Sequence, residues 1–270
     1  MAALSQLRLG IVGGGAMGGA IARGLVASGA VDASQLCVTD RDAATLAQLA
    51  RDTGARAYDA SLELAQSDVN AVLLAVKPQV IGAVMAELAP ALAGKLVISI
   101  AAGVPLATLE AALPGARVVR VMPNLPLQVL SGASAVAPGA SATADDAALV
   151  QELFAALGTA QLLTEAQLDV AGAISGCGPA FFALFADQLT RAGVAAGLPT
   201  AACRELVLTT MRGVAQQLLE SGEHPRAYMD KVTSPGGTTA AALRAMEPQT
   251  FAACFDAVDA ALARTAELAR

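Results

Sequence analysis

The feature that most constrains the fold is a glycine-rich turn close to the N-terminus. Residues 7–12 form a short apolar run, which predicts a buried strand, and residues 13–18 read Gly-Gly-Gly-Ala-Met-Gly at the head of a helix predicted over residues 16–28. In a G-x-G-x-x-G turn the first glycine permits a tight turn and the second lets the backbone approach a pyrophosphate. The third lets the helix pack closely on the strand. The helix N-terminus then offers free N–H groups and a positive dipole end to the phosphates.

This turn is the first strand-to-helix connection of a strand–helix–strand unit, which is the position that favours dinucleotide binding. The alternative is an ordinary glycine-rich turn in an alanine-rich chain. The predicted cofactor-binding residues of the turn are Gly13, Gly14, Gly15, Ala16, Met17 and Gly18.

Strands and helices alternate through the first 163 residues. Strands are predicted over 36–39, 71–76, 96–100, 118–122 and 134–137, with a last edge strand over 161–163, and helices over 43–52, 80–92, 106–113 and 143–157. Continuous apolar strands between helices predict a mostly parallel sheet covered on both faces. We therefore predict an α/β, Rossmann-type domain over residues 1–163.

The strand signal stops after Thr164. Helices are predicted over 167–196, with a break or bend near 176–179, and over 200–220, 225–232, 238–246 and 248–269. These patterns predict a second, all-helical domain over residues 164–270.

Composition excludes several classes of function. The 17 basic and 23 acidic residues are spread evenly, so neither half has the basic surface that nucleic acid requires. Four widely spaced cysteines indicate free thiols and a reducing, cytoplasmic setting. With a single histidine, the chain lacks the ligands of a zinc site and the pattern of a Ser-His-Asp hydrolase. Chemistry carried by an organic cofactor remains, with no metal.

The mean hydropathy of +0.57 reflects alanine more than large apolar side chains. Residues 170–186 form an uncharged stretch that contains glycines and a proline and is shorter than the roughly 20 apolar residues of a membrane-spanning helix. The N-terminus lacks the basic start of a signal peptide. We expect a cytoplasmic protein without a membrane segment.

Asp40 ends the second predicted strand, 22 residues after Gly18. An acid at this point can hold both ribose hydroxyls, which favours NAD, whereas Arg41 beside it could face a 2′-phosphate, which favours NADP. Asp40 could instead cap the next helix. Replacing it with serine is expected to shift preference toward NADPH.

Three further strand ends carry candidate cofactor contacts, because ligands in this fold lie beyond the carboxyl ends of the strands. Asn124 could hydrogen-bond an amide or a ribose, or it could be a turn residue that holds its own backbone. Pro78 is expected to stiffen its loop and keep Lys77 extended, although Lys77 could be an ordinary surface lysine. The candidates at these strand ends are Ala75, Val76, Lys77, Pro78, Ala101 and Asn124.

The helical half contains a polar loop, residues 231–239, where hydroxyls and glycines crowd around a helix start. Backbone N–H groups at such a terminus form an anion nest, to which Ser and Thr hydroxyls add donors. The loop therefore suits a small carboxylate. The alternative is an elaborate N-cap that uses Thr238.

These segments together resemble the pyrroline-5-carboxylate reductase family over the whole chain. The resemblance is carried by residues 11–18, 75–78, 99–103, 120–126, 175–180, 222–225 and 234–239. Three positions depart from the family's usual residues: Ala16 replaces Asn or Gln, Leu125 replaces Thr, and Cys177 replaces Ser. The departure at Ala16 puts a side-chain contact to the cofactor in doubt.

The resemblance implies reduction of the C=N bond of 1-pyrroline-5-carboxylate to L-proline with NADPH or NADH. It places Thr239 near the imine nitrogen as the catalytic hydroxyl, Ser234 as a hydroxyl donor, and Gly236, Gly237 and Thr238 as backbone donors to the substrate. It also implies a homodimer through the helical domains, with active sites completed across subunits, and in some cases a ring of dimers.

Two rival interpretations stay open at this point. A related two-domain NAD(P) enzyme, such as a β-hydroxyacid dehydrogenase or a broader imine reductase, shares the turn and the helical domain. The dehydrogenase would be expected to carry a catalytic lysine in its long interdomain helix, and residues 167–196 contain none. A nonenzymatic sensor of NAD(P) is the second rival.

Overall fold

The computed structural model describes residues 4–268. They fall into two compact units: the residues up to Cys177 with those after 260, and Gly178–Ala260. The first unit contains strands β1 (Leu9–Val12), β2 (Leu36–Thr39), β3 (Arg56–Ala57), β4 (Ala71–Leu74), β5 (Leu96–Ser99), β6 (Arg117–Met122), β7 (Gly132–Pro138) and β8 (Gly158–Leu162). Its helices are α1 (Ala16–Ala27), α2 (Ala43–Thr53), α3 (Ser61–Gln66), α4 (Pro78–Leu92), α5 (Leu106–Ala112), α6 (Ala144–Ala155) and α7 (Glu165–Ala171).

The strands form one sheet in the order β3-β2-β1-β4-β5-β6-β7-β8. Every neighbouring pair in the described sheet is parallel except β6 and β7, so the predicted mostly parallel sheet is confirmed. The carboxyl ends of β1, β2, β4, β5 and β6 therefore meet at one edge, and this edge positions the candidate site.

Alternate residues of the strands enter two separate cores, one on each face of the sheet. Ile11 of β1 and Leu73 of β4 lie in one core with Phe154 of α6, whereas Val12 and Leu74 lie in the other. Side chains alternate with a period of two, so a strand covered on both faces must be apolar at every position. The four-residue strands β1, β2, β4 and β5 are accordingly buried throughout.

The sequence patterns missed β3 and α3. β3 has two residues and both are exposed, so it carries no apolar run. α3 has six residues, of which two are buried, which is too short for a helical period to show.

The chain between the sheet and the second unit is irregular. α7 is followed by a π-helical segment, Gly172–Gly176, and helix α8 (Gly178–Ala195) begins after it, so a break lies close to the bend predicted for 176–179. α7 packs in the first unit, where Leu168 is buried in the same core as Val12. The predicted domain limits, 1–163 and 164–270, stay a prediction.

The second unit is helical, formed by α8 (Gly178–Ala195), α9 (Thr200–Ser221), α10 (Pro225–Lys231) and the first part of α11 (Thr238–Leu268). The predicted break at Met246 is wrong, because α11 continues through Pro248 as one helix. Proline removes one N–H from the ladder. The affected turn is exposed to water, which can satisfy the freed carbonyl.

This helical unit buries little of its own apolar surface. Its buried core comprises Ala186, Cys203 and Val207, with Met211 packed against it. Large apolar side chains stay exposed along its helices: Phe181, Phe182, Leu184, Phe185, Leu189, Val194, Leu198, Leu206, Leu208, Leu219, Val232, Met246, Phe251 and Phe255. Exposed apolar side chains in such number are typical of an interaction site.

One helical stretch among residues 4–268, Glu165–Ala195, is long and apolar enough to cross a membrane by length and composition. Four charged side chains interrupt it, and two of them, Glu165 and Asp169, form ion pairs with a buried arginine. Length and composition alone therefore give weak grounds for a membrane span.

Candidate active site

The glycine turn connects β1 to α1 in the geometry that the sequence predicts. Gly13 has a φ of +103°, a conformation that strongly favours glycine, and its N–H donates to the Thr39 carbonyl at 2.9 Å. A Cβ atom at Gly13 would lie 2.7 Å from the Ala75 carbonyl oxygen. The first glycine is therefore needed both for the turn and for the approach of the loop to β4.

The other two glycines of the motif differ sharply in their surroundings. A Cβ atom at Gly18 would lie 2.0 Å from the Gly13 carbonyl oxygen and 2.8 Å from Ala75 Cβ, so α1 rests directly on the end of β4. A Cβ atom at Gly15 would meet nothing within 4 Å. Gly18 thus serves packing, whereas Gly15 leaves space on the outer side of the turn.

The N-terminus of α1 carries no capping side chain. Gly15 is its N-cap, no side chain of residues 4–268 accepts from its first turn, and no acidic residue lies there. The first N–H groups of a helix lack partners within the helix, and the helix dipole makes this end positive. Ala16 is exposed and Met17 half-buried, so the backbone of this turn can be reached by an anionic group.

Asp40 reaches back to the glycine turn. One carboxylate oxygen accepts from the Gly14 N–H at 2.7 Å and the other accepts from the Asp42 N–H at 2.8 Å. The cap of α2 is Asp42, which accepts from the Thr45 N–H at 2.7 Å. Those hydrogen bonds from Thr45 lower the pKa of Asp42. Asp40 therefore stabilises the glycine turn, and Asp42 caps α2.

The ends of β4 and β5 lie beside the turn. The Ala75 N–H donates to the Val12 carbonyl at 2.9 Å, which ties this end to β1. Ala75 and Val76 are half-buried, and Lys77 is exposed and extended (φ −63°, ψ 145°) before Pro78. The extended backbone predicted for Lys77 is confirmed, and Pro78 is the first residue of α4. Ala101, after β5, is buried.

Asn124 follows β6 and joins three parts of the chain. Its amide nitrogen donates to the Ser175 carbonyl at 3.0 Å, and its amide oxygen accepts from the Ala133 N–H at 2.8 Å. Asn124 is almost fully buried. The side chain is more than a local turn residue, because its partners lie 9 and 51 residues away. Whether it also contacts the cofactor stays a prediction.

The sequence patterns assign no role to the arginine that is buried at the same sheet edge. Arg120 of β6 is only 4% exposed, and it forms ion pairs with Glu165 at 3.2 Å and Asp169 at 2.9 Å. Glu165 also accepts from the N–H of Leu106, the first residue of α5, at 2.6 Å. An arginine inside an otherwise apolar strand was the available signal, because such a residue is rarely buried without partners.

The polar loop of the second unit has its glycines in a tight turn before α11. Gly236 has a φ of +70°, and the Gly237 N–H donates to the Ser234 carbonyl at 3.0 Å. Gly237 precedes the helix and its carbonyl accepts from the Ala241 N–H, so the N-cap position falls on Gly237 and not on Thr238.

Three hydroxyls of this loop, those of Ser234, Thr238 and Thr239, are available to hydrogen-bond a ligand. Ser234 and Thr238 are exposed and Thr239 is half-buried. Among residues 4–268 none of these three hydroxyls has a hydrogen-bond partner, whereas the neighbouring Thr233 hydroxyl donates to the Met229 carbonyl at 2.7 Å. The described residues also contain no cluster of three His, Cys, Asp or Glu side chains able to hold a metal.

Both the N-terminal and the C-terminal parts of the chain match models of known protein families. Residues 165–268 match the family model described as pyrroline-5-carboxylate reductase dimerisation, and residues 8–103 match the one described as NADP oxidoreductase, coenzyme F420-dependent. A pyrroline-5-carboxylate reductase of Pseudomonas aeruginosa is 40% identical over 270 residues, covering 98% of this chain and 98% of its own. The chain belongs to the pyrroline-5-carboxylate reductase family.

Solved structures of the family have the same fold as this chain. The pyrroline-5-carboxylate reductase of Coxiella burnetii superposes with a TM-score of 0.93 at 32% identity, covering 98% of this chain and 99% of that one. The Plasmodium falciparum enzyme, solved with NADP bound, gives 0.87 at 30% identity with the same coverage. The resemblance and the predicted fold class, a Rossmann-type sheet followed by a helical dimerisation domain, are confirmed.

Proposed function

We propose that this chain reduces the C=N bond of 1-pyrroline-5-carboxylate to L-proline with NAD(P)H, the last step of proline biosynthesis. The observation that carries the proposal is a family relationship that runs from end to end, with the glycine turn intact. Initial-rate measurements with this substrate and each reduced cofactor test it directly. Absence of cofactor oxidation with any cyclic imine, despite tight cofactor binding, would favour the sensor instead.

The residues of the first unit fit a dinucleotide. The turn holds a glycine in a φ region closed to most side chains, open space stands beside Gly15, and the N-terminus of α1 is uncapped. We assign the pyrophosphate to the backbone of residues 13–18, and the rest of the cofactor to Asp40, residues 75–78, Ala101 and Asn124. When bound, the reduced nicotinamide supplies the hydride that the imine carbon accepts.

The substrate is assigned to the loop before α11. The backbone N–H groups of Gly236 and Thr238 and the hydroxyl of Ser234 bind the carboxylate, because a helix N-terminus favours negative charge. The Gly237 N–H joins them by turning away from the Ser234 carbonyl, to which it donates at 3.0 Å. The Thr239 hydroxyl hydrogen-bonds the imine nitrogen and then the amine that forms there. A protonated imine is already electrophilic, so orientation and exclusion of water are the main tasks of the protein.

Thr239→Val tests this assignment, because it keeps the shape of the side chain and removes the hydroxyl. Leaving a buried polar partner unpaired costs about 1–3 kcal/mol, or roughly a 10- to 100-fold fall in kcat, with NADPH affinity unchanged. Thr250→Val, in the exposed middle of the same helix, is the matched control. Ser234→Ala is expected to raise KM instead. A parental kcat for Thr239→Val at saturating substrate would make the hydroxyl dispensable.

We also propose that the exposed apolar side chains of the second unit form a homodimer interface. They lie within residues 165–268, the segment that the dimerisation model matches, and a helical unit with so small a core has unused apolar surface. Phe182 is 66% exposed, so Phe182→Asp should give monomers in sedimentation. Leu162→Asp, on the 44% exposed Leu162 of β8, is the control expected to remain dimeric.

Three finer features are also proposed. The subunits are expected to complete one another's active sites and to assemble into a ring of dimers, which sedimentation would report as a multiple of the dimer mass. A cytoplasmic location agrees with four free cysteines. Fractionation of the source cells, with the activity followed in the soluble and membrane fractions, tests that location.

A further inference from the structure

We propose that Arg120, together with Glu165 and Asp169, is a positioning unit for the reductase reaction. It sets the place of the π-helical segment Gly172–Gly176 against the carboxyl edge of the sheet, where the nicotinamide end of the cofactor is expected. The inference rests on the proposed function for its kinetic consequence, but its structural consequence can be measured without substrate.

The first observation is that Arg120 is buried, which costs free energy unless its charge is compensated. A buried guanidinium needs compensation by charge and hydrogen bonds, since removing it from water is expensive. Its partners, Glu165 and Asp169, are four residues apart on α7, so both face the strand from one side of that helix. Two charged contacts therefore fix both the rotation and the height of α7 on β6.

The second observation is that β6 also contacts the π-helical segment that follows α7. Met122 lies two residues after Arg120 and so on the same face of β6. Cβ atoms at Gly172 and Gly176 would lie 3.0 and 3.3 Å from Met122 Cε, so both glycines allow close contact there. Asn124 then donates to the Ser175 carbonyl. Charge, packing and a hydrogen bond thus hold α7 and the π-helical segment in succession.

The third observation is the location. Arg120 pairs in register with Ser99, the last residue of β5, two residues before Ala101. A cavity of about 90 Å³ opens beside it, with Gly103, Asp169 and Cys177 in its wall. Arg120 and its two carboxylate partners therefore lie at the edge of the sheet where ligands bind in this fold. π-helical turns often lie at functional sites.

The chain supplies its own control at the opposite end of the same strand. Arg117 forms an ion pair with Asp146 at 2.9 Å and donates to the Gly94 carbonyl at 2.8 Å. Arg117 starts β6, so it lies at the amino edge, away from the cofactor side. Arg117→Gln removes an ion pair from the same strand without touching α7.

The test compares Arg120→Gln with Arg117→Gln in the full chain, at a temperature where both remain folded. We expect kcat of Arg120→Gln to fall by roughly 100-fold, since a displacement of about 1 Å near the reacting groups has that effect. The NADPH dissociation constant should change less than threefold, and Arg117→Gln should keep kcat within about threefold. Arg120→Lys, which keeps the charge but cannot reach both carboxylates, should be intermediate.

Amide hydrogen exchange provides the readout that needs no activity. Peptides covering residues 165–177 should exchange faster in Arg120→Gln and unchanged in Arg117→Gln, measured with and without NADPH. Equal falls in kcat for the two variants, or unchanged exchange over 165–177, would overturn the proposal. If Arg120→Gln does not fold, Asp169→Asn replaces it: a fall in kcat supports the proposal and a parental kcat overturns it. An inactive parent chain would instead count against the proposed function.

Discussion

The second and third glycines of the motif, Gly15 and Gly18, should respond differently when each is replaced by alanine. Gly18→Ala places a Cβ atom 2.0 Å from the Gly13 carbonyl oxygen and 2.8 Å from Ala75 Cβ. Both neighbours are main-chain or directly attached to it, so relief requires α1 to move by about an ångström or more. Overpacking of this kind costs about 1–3 kcal/mol, and rigid neighbours place it at the upper end.

Gly15→Ala is the matched comparison, because a Cβ atom there meets nothing within 4 Å. The backbone at Gly15 has a φ of −63°, which alanine adopts freely, so stability should change by less than about 1 kcal/mol. The methyl group instead occupies the side from which a pyrophosphate approaches. We expect the dissociation constant of NADPH to rise at least about 10-fold, equal to about 1.4 kcal/mol.

Two measurements separate the effects. Thermal unfolding followed by far-ultraviolet circular dichroism should show Tm lowered by about 6–12 °C for Gly18→Ala and by less than about 4 °C for Gly15→Ala. The emission of NADPH on titration reports binding without interference, since the chain contains no tryptophan. A Gly18→Ala protein with parental Tm would refute the close contact between α1 and β4. Parental NADPH affinity in Gly15→Ala would refute the assignment of the pyrophosphate.

Asp40→Ser should raise the ratio of NADPH to NADH catalytic efficiency, because it removes a negative charge near the 2′ position of the ribose. Asp40→Asn should raise the same ratio while keeping an acceptor for the Gly14 N–H. An unchanged ratio in both variants would place Asp40 away from the ribose. Asp146→Asn should lower stability by about 1–3 kcal/mol near neutral pH. Burial opposes ionisation of Asp146, but hydrogen bonds from Thr143 and the charge of Arg117 outweigh it and hold its pKa below the ordinary 3.8. The stabilisation is therefore complete above about pH 4 and is lost as pH falls further, so urea midpoints of parent and variant should converge on acidification. A difference between them that persists in acid would contradict this account.

Local sequence determined most of the secondary structure of the first unit. β2 falls on Leu36–Thr39 as predicted, because a strand buried on both faces is apolar throughout and its boundaries are sharp. The turn at Gly13 and the start of α6 after Thr143, with Asp146 in a capping box, were also predictable, since these signals act within a few residues. The reductase family was recognisable because its motifs are short and contiguous.

Tertiary structure alone decided how distant segments meet. The order of the eight strands, the bond from Gly14 to Asp40 across 26 residues, and the ion pairs of Arg120 with α7 join residues whose separations carry no periodic signal. The continuity of α11 through Pro248 likewise reverses a local rule. Local preferences are worth tenths of a kcal/mol to about 3 kcal/mol per residue, and packing and charge pairing override them where the fold brings remote groups together.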